Sequence, residues 1–192
     1  VQVELYPLRF ERSATVHAEA RRWVDRAHFG SPFSLAVVGA NLATMVRHPV
    51  RYFGALLELV RCNLGSVRFL AGALVFFPRA VDFARRMKAD GIQHVHAHFA
   101  SHPAAVAWVI HRIAGIPYSF TAHGSDLHMD RHMLREKVRD AAFVVPISEF
   151  NRRVIVDECG PESAAKLEVI HCGVDTNAFT PGAPATTSAN GK

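Results

Sequence analysis

The second half of the chain repeats one pattern, a short apolar run that ends in a polar motif and leads into a helical segment. The four polar ends are His94-Val-His-Ala-His-Phe99, Phe120-Thr-Ala-His-Gly-Ser-Asp126, Val145-Pro-Ile-Ser-Glu149 and Val169-Ile-His-Cys-Gly-Val-Asp175. Strands that alternate with helices predict βαβ units and an α/β fold with a parallel sheet. Ligands of such sheets bind outside the carboxyl ends of the strands. The four polar ends therefore predict one site at one edge of a Rossmann-like sheet flanked by helices.

The chain of 192 residues is long enough for the core of one domain, which we expect to cover residues 1–180. Alternating apolar and polar residues over 1–6 predict a strand, and residues 13–28 have the pattern of a charged surface helix. Further strands are predicted over 93–99, 117–122, 142–147 and 167–170. Residues 181–192 are rich in Pro, Gly, Ser and Thr and are expected to be a disordered linker or tail.

Residues 33–88 form an additional helical segment that is amphipathic and basic, with breaks at Arg47-His-Pro49 and Gly65-Ser66. One helical face collects Val50, Phe53, Leu57, Val60 and Leu64. We expect this face to pack on the sheet, while Arg47, Arg51 and Arg61 contact an anionic membrane surface. The alternative is that these arginines extend along the rim of the helical layer. No run is apolar enough over about 20 residues to predict a transmembrane helix.

Several function classes lack their signatures. The three cysteines form no Cys-x-x-Cys pair, so we expect reduced thiols in the cytosol. The sequence contains no dinucleotide-binding Gly-x-Gly-x-x-Gly, no Walker A loop and no Gly-x-Ser-x-Gly elbow. It opens on a strand-like run without a starting Met, and we therefore expect it to be a piece of a longer protein.

The first polar motif places His94, His96 and His98 on one face of a strand, a spacing that zinc sites also use. A lone strand cannot complete a metal shell, and Asp126 is the one carboxylate that the neighbouring motifs supply. We therefore expect no metal. A metal-dependent hydrolase built on His96, His98 and His123 is kept as the alternative.

The other motifs supply candidate ligand-binding residues. Gly124 allows a positive φ or a close backbone approach, so that His123 and Asp126 can face the cleft, where a histidine can donate to a sugar hydroxyl. A structural turn capped by Asp126 is the alternative. Ser148 and Glu149 open a helix whose free amides could meet an anion. Gly173 permits a ligand to approach the backbone, and Asp175 is either a ligand contact or a turn residue.

In this order, the motifs His96-Ala-His-Phe99, Ser119-Phe-Thr-Ala-His-Gly-Ser-Asp126, Pro146-Ile-Ser148 and Val169-Ile-His-Cys-Gly-Val-Asp175 resemble the N-terminal domain of family 4 retaining glycosyltransferases. The resemblance is strongest to the colanic acid and exopolysaccharide branch. It implies the GT-B fold, in which two Rossmann-like domains face each other across a cleft without a metal requirement. It also implies that His123 is the catalytic histidine beside the reacting sugar, with Asp126 in the same loop near the acceptor. His98 is expected in the substrate site from its own position, because it ends its strand and can face the crevice. Gly173 and Asp175 match the segment that leads into the second domain.

The resemblance implies a hexosyltransferase that moves a sugar from a nucleotide-sugar donor to a lipid-linked or saccharide acceptor in bacterial surface polysaccharide assembly. The expected location is the cytoplasm or the inner face of the plasma membrane, and no nucleic-acid partner is expected. The family's first strand and its C-terminal donor-binding domain have no counterpart in the sequence, so the chain alone is expected to be inactive. A non-catalytic module that binds saccharide or membrane is the remaining alternative.

Overall fold

The computed structural model describes residues 2–8, 18–31, 34–129 and 131–174. Its helices are α1 (Ala18–Val24), α2 (Leu35–Arg47), α3 (Pro49–Asn63), α4 (Val67–Ala89), α5 (His102–Ala114), α6 (Gly124–His128), α7 (Leu134–Asp140) and α8 (Glu149–Cys159). Its strands are β1 (Val95–His98), β2 (Tyr118–Ala122) and β3 (Phe143–Pro146), and a 3-10 helix covers Pro161–Lys166. The fold is α/β.

The helical segment ends and restarts where the sequence predicts. Ser34 and Ser66 cap α2 and α4, because each hydroxyl oxygen accepts a hydrogen bond from the amide three residues ahead, at 3.4 and 3.3 Å. Pro49 occupies the first turn of α3, where no amide donor is needed. The predicted breaks at 47–49 and 65–66 are therefore confirmed.

The strands form a parallel sheet in the order β1-β2-β3. Val95 lies opposite Tyr118, and Ser119 lies opposite Phe143. The segment predicted as the last strand, 167–170, forms one bridge between Leu167 and Val144 and donates to β3 carbonyls at 3.0 and 3.2 Å. This mixed fold, a parallel sheet flanked by helices, corresponds to the Rossmann-like N-terminal half of a GT-B fold.

The core lies between the sheet, α5 and α4. Small residues in both helices, such as Ala80 in α4 and Ala104 in α5, are fully buried and allow the two helices to approach closely. The two largest core residues also carry polar atoms that find partners. Trp108 Nε1 donates to Asp140 Oδ2 at 2.8 Å, and Tyr118 donates its hydroxyl hydrogen to the Lys137 carbonyl at 2.6 Å.

The N-terminal prediction is wrong where the structure describes it. Residues 2–7 form no strand, although their apolar and polar residues alternate. Leu5 accepts a backbone hydrogen bond from His28 at 2.8 Å, and the Tyr6 ring stacks on His28 and packs against Phe83. These alternating residues therefore pack beside α4 as irregular chain and not as a strand. Residues 9–17 and the predicted tail 181–192 lie outside the described residues.

The prediction for the apolar face of α3 is also wrong. Val50, Phe53, Leu57 and Leu64 point outward, with 51–85% of their surface exposed, whereas Ala55, Leu59 and Asn63 are buried. Asn63 can be buried because its amide donates to the Leu59 carbonyl at 2.7 Å. Both sides of α3 carry apolar residues, and periodicity alone does not determine which side packs inward.

Candidate functional site

His96 and His98 in β1, and His94 just before it, lie on one face of the sheet, as predicted. His94 and His96 each lie within hydrogen-bond distance of the Ser119 hydroxyl, at 2.7 and 2.8 Å. The other ring nitrogen of His96 lies 2.9 Å from the Thr121 hydroxyl. The parallel register explains this row of imidazole–hydroxyl hydrogen bonds, because it places His96 beside Ser119 and His98 beside Thr121.

Partial desolvation by the neighbouring chain favours the neutral form of these imidazoles, although all three residues are exposed. Desolvation lowers the pKa of His94, His96 and His98, and for His96 the neighbouring histidines lower the pKa further. A neutral imidazole has one N–H donor and one lone pair. Both ring nitrogens of His96 lie at hydrogen-bond distance from hydroxyl groups, so the whole ring belongs to this row of hydrogen bonds.

His98 and His123 form a pair at the carboxyl ends of β1 and β2. Their Nε2 atoms lie 3.1 Å apart, with the rings at 70° to each other. Two nitrogens at this distance require one to donate and the other to accept, so one proton lies between the two Nε2 atoms. The pKa of His98 is lowered mainly by burial and then by His123, against a smaller opposing effect of Asp126. Both rings reach the surface at this edge.

Phe99, which follows the strand, adopts a left-handed conformation with φ of 85°. This is uncommon for a bulky residue and costs on the order of 1–3 kcal/mol. The conformation brings the Phe99 ring to 5.0 Å from the His98 ring and 4.7 Å from the His123 ring, between centroids. Sequence reasoning missed this contact, because backbone strain leaves no residue signature when the residue is not glycine.

Two buried charged residues clamp the next residue, Ala100. The Ala100 amide donates to Asp126 Oδ2, and its carbonyl accepts from Lys137 Nζ at 2.5 Å. Lys137 Nζ also donates to the His132 carbonyl at 2.9 Å. Lys137 is a second residue beside the site that the sequence did not reveal, since a lysine in a polar helix is ordinarily exposed.

Asp126 therefore lies in a different place from the one predicted. The sequence favours a side chain that faces the cleft, but the structure leaves Asp126 only 9% exposed, beneath the β1–α5 loop. The reason is that α6 begins at Gly124, so Asp126 falls in its first turn and turns back to the Ala100 amide. Its Oδ1 atom is buried and has no hydrogen-bond partner among the described residues.

The conformational argument for Gly124 is wrong. Positive φ values among the described glycines occur at Gly91, Gly115 and Gly160, whereas Gly124 is the first helical residue of α6. A Cβ there would meet the His128 ring at an ordinary contact distance of 3.7 Å. A role for Gly124 in ligand approach remains a prediction.

The remaining predicted residues follow β3. Ser148 caps α8 as predicted, because its hydroxyl accepts from the Asn151 amide at 3.1 Å, and Glu149 is the exposed first residue of that helix. Parallel pairing of Ala122 with Pro146 puts this helix start at the same edge as His123. Gly173 is exposed, and a Cβ at this position would extend into space that no other described part of the chain fills. Asp175 lies outside the described residues.

Of the three histidines in the hydrolase alternative, the structure pairs only His98 with His123. The described residues contain no group of three or more His, Cys, Asp or Glu side chains that could hold a metal ion. The geometry therefore gives the hydrolase alternative no support. Chemically, the edge offers a hydrogen-bonded histidine pair beside an aromatic ring, a combination that suits hydrogen bonding to a polar ligand.

Comparison with known protein families gives a match. The model of the family described as Glycosyltransferase Family 4 matches residues 42–178, which is more than half of the chain and includes every residue of the site. No curated protein sequence matches the chain.

Proposed function

Because the chain belongs to glycosyltransferase family 4, we propose that it is the acceptor-side half of a hexosyltransferase that uses a nucleotide-sugar donor. The acceptor is a lipid-linked or free saccharide of bacterial surface polysaccharide assembly, of the exopolysaccharide type. The transferred sugar retains its anomeric configuration. The observation that carries the proposal is the His98–His123 pair at the carboxyl edge of the sheet.

In this proposal His123 contacts the transferred sugar. Its Nε2 atom is engaged by His98 at 3.1 Å, so Nδ1 is the ring nitrogen that remains for a ligand. When His98 donates, His123 accepts at Nε2 and carries its proton on Nδ1. His123 is then a neutral donor to a sugar hydroxyl, held in place by His98 on one side and the Phe99 ring on the other.

The transfer needs no metal in this scheme. The bond between the anomeric carbon and the diphosphate oxygen breaks, and the acceptor oxygen bonds to the same face of the sugar. The departing phosphate takes the acceptor's hydroxyl proton, because the motifs supply no general base at the reacting end. The start of α8, at Ser148 and Glu149, contributes substrate contacts at the same edge.

The nucleotide diphosphate binds to a second domain in this proposal. Gly173 and Asp175 belong to the segment that leads toward it, by resemblance to the family. The chain of 192 residues alone is therefore expected to turn over no nucleotide sugar.

The test is transfer of labelled sugar from a panel of UDP- and GDP-hexoses to a lipid extract, measured with the complete gene product. His123→Ala should lower kcat by about 10²–10³-fold, the usual effect of removing one donor at a developing charge. His94→Ala is the matched control, because His94 lies on the same face at the opposite end of β1 and should change kcat less than about threefold. Full activity of His123→Ala would overturn the assignment, and turnover by the 192-residue chain would overturn the role of the second domain.

A further inference from the structure

A groove of about 310 Å³ lies where α2, α4 and α5 end and α3 begins. Its charged side chains are all basic, namely Arg47, Arg51, Arg85 and Lys88. No acidic residue of the described chain lines the groove. Its floor contains the buried residues Thr44, Ala84 and Ile113, and the Thr44 hydroxyl donates to the Ala40 carbonyl at 2.8 Å. We call this the basic groove.

The basic groove lies at the amino edge of the sheet, opposite the histidine pair. Arg85 and Lys88 lie in the last two turns of α4, shortly before β1 begins. The end of α5 borders the groove in the same way, shortly before β2. His98 and His123 lie instead at or just after the carboxyl ends of these strands. A ligand in the basic groove would therefore occupy a separate site.

The structure divides the three arginines that the sequence assigns to a membrane surface. Arg47 and Arg51 line the basic groove, whereas Arg61 lies in the last turn of α3, at the other end of that helix. Within the described ranges, every helix is too short or too polar to span a bilayer. Contact of these arginines with a membrane surface stays a prediction, and the grouping of cations in the groove needs its own explanation.

Helix ends account for only part of this charge. A helix C-terminus carries about −0.5 charge and favours nearby cations, and three C-termini border the groove. Arg51 opposes this preference, because it lies in the first turn of α3, where a helix carries about +0.5 charge. That turn contains no acidic residue, and His48 before it forms no side-chain cap. Of the four cations, about three positive charges therefore remain uncompensated.

The carboxylates of α4 and its C-cap are engaged elsewhere. Asp82 pairs with Arg86 at 2.9 Å, and Asp90 accepts a hydrogen bond from the Tyr6 hydroxyl at 3.0 Å. Among the described residues, no ion pair engages any cation of the basic groove. Cations gathered in a concave surface focus their potential on an anion that enters it. The groove is therefore suited to a compact ligand with several negative charges.

We propose that the basic groove binds a soluble diphosphate, either inorganic pyrophosphate or the diphosphate group of a nucleotide. A diphosphate carries about three negative charges near neutral pH, which matches the uncompensated charge. Guanidinium groups suit phosphate oxygens because their N–H donors form a planar fork. The described lining contains no Phe, Tyr or Trp on which a base could stack. The groove therefore recognises the diphosphate and not the nucleoside.

The test is isothermal titration calorimetry of the 192-residue chain with inorganic pyrophosphate, in low salt and without divalent cations. We expect a Kd of about 10–100 µM, which is consistent with the binding efficiency of so small a ligand. UDP and ADP should bind within about threefold of pyrophosphate, because the base makes no stacking contact. Inorganic phosphate should bind about tenfold more weakly or worse, because it carries less charge.

Arg51→Gln/Arg85→Gln should weaken pyrophosphate binding by about 25-fold, since an arginine–phosphate contact at an exposed site contributes about fivefold. The matched control is Arg61→Gln/Arg68→Gln, which removes one exposed arginine from each of the same two helices, at their opposite ends. The control changes net charge equally and should weaken binding by less than about twofold, because the distance is screened by salt.

Arg51→Gln also removes a hydrogen bond to the Ile113 carbonyl at 3.4 Å, so the thermal midpoint of this variant is measured first. Arg85→Gln/Lys88→Gln is the second variant, because both side chains are exposed on α4. It should weaken pyrophosphate binding by a similar factor while leaving the thermal midpoint near that of the wild type.

A wild-type Kd for pyrophosphate above about 1 mM would refute the proposal. Equal weakening by the groove and control substitutions would refute it too, since binding would then follow net charge and not this site. Vesicles that contain phosphatidylglycerol test the other source of phosphate. Vesicle binding without binding of any soluble diphosphate would make the groove a lipid contact and overturn the proposal. Diphosphate binding is measured without a sugar substrate, so its outcome is separate from the test of His123.

Discussion

Replacing Asp126 with alanine should loosen the loop that holds the histidine pair. Asp126 Oδ2 accepts from the Ala100 amide, and both residues are buried. The substitution removes a charged acceptor and leaves the Ala100 amide without its partner away from water. Phe99, which precedes this amide, then loses one of the bonds that keep it in the left-handed region.

The magnitude follows from the two partners. A hydrogen bond to a charged group contributes about 1.5–3 kcal/mol, and an unsatisfied buried donor costs about 1–3 kcal/mol. Removing the carboxylate also relieves the desolvation of Oδ1, which has no partner among the described residues. We expect a net loss of about 2 kcal/mol in the free energy of unfolding. For a chain of this size that corresponds to a fall of about 4–8 °C in Tm.

The assay is thermal and urea unfolding of the chain without any ligand. Glu149→Ala is the control, because Glu149 is an exposed carboxylate of the same predicted site and should cost only about 0.3–1 kcal/mol through the helix dipole. Asp126→Asn retains an acceptor and should fall between Asp126→Ala and the wild type. An Asp126→Ala variant within about 0.5 kcal/mol of the wild type would show that the carboxylate does not fasten the loop.

Two further predictions concern stability. Gly72→Ala should destabilise the chain by about 1–3 kcal/mol, because its Cβ would overlap the His102 ring across the α4–α5 contact. A Cβ at Gly54 meets no described atom within 4 Å, so Gly54→Ala should stabilise α3 by up to about 1 kcal/mol. Thermal unfolding of the two variants measures both effects. Burial lowers the pKa of His96 below its ordinary 6.5, so the unfolded chain binds this proton more readily. The free energy of unfolding should therefore fall as pH drops through 6.5. Urea titrations at several pH values should show a flatter pH dependence for His96→Gln. An unchanged slope of unfolding free energy against pH would contradict the lowered pKa of His96.

The sheet could be predicted from the sequence because its strands are short apolar runs bounded by turn signals. The strands predicted over 93–99, 117–122 and 142–147 are all present, with ends shifted by at most two residues. The alternation at residues 2–6 gives the same signal, yet this segment pairs with His28 rather than with a strand. Pattern identifies a segment that can form a strand, but pairing depends on which neighbours the fold supplies.

The site was predictable in position but only partly in detail. His98 and His123 end neighbouring parallel strands, so their proximity follows from topology alone. The direction of Asp126 does not, because it depends on α6 beginning at Gly124. The side of α3 that packs inward could not be predicted either, since beside the local Leu59 carbonyl the buried Asn63 amide has a partner distant in sequence, the Met133 sulfur.

Lys137 links the two backbone distortions beside the site. Among the described residues, the non-glycine residues with positive φ are Phe99 at 85° and Met133 at 59°. Lys137 Nζ donates to the carbonyl of Ala100, just after Phe99, and to the carbonyl of His132, just before Met133. Strained conformations persist only where neighbouring bonds determine them, and one buried ammonium group bonds beside both. The backbone beside Phe99, whose ring flanks the histidine pair, is thus held by a side chain that lies outside the four polar motifs. The geometry of the site therefore could not be derived from the motifs that mark its position.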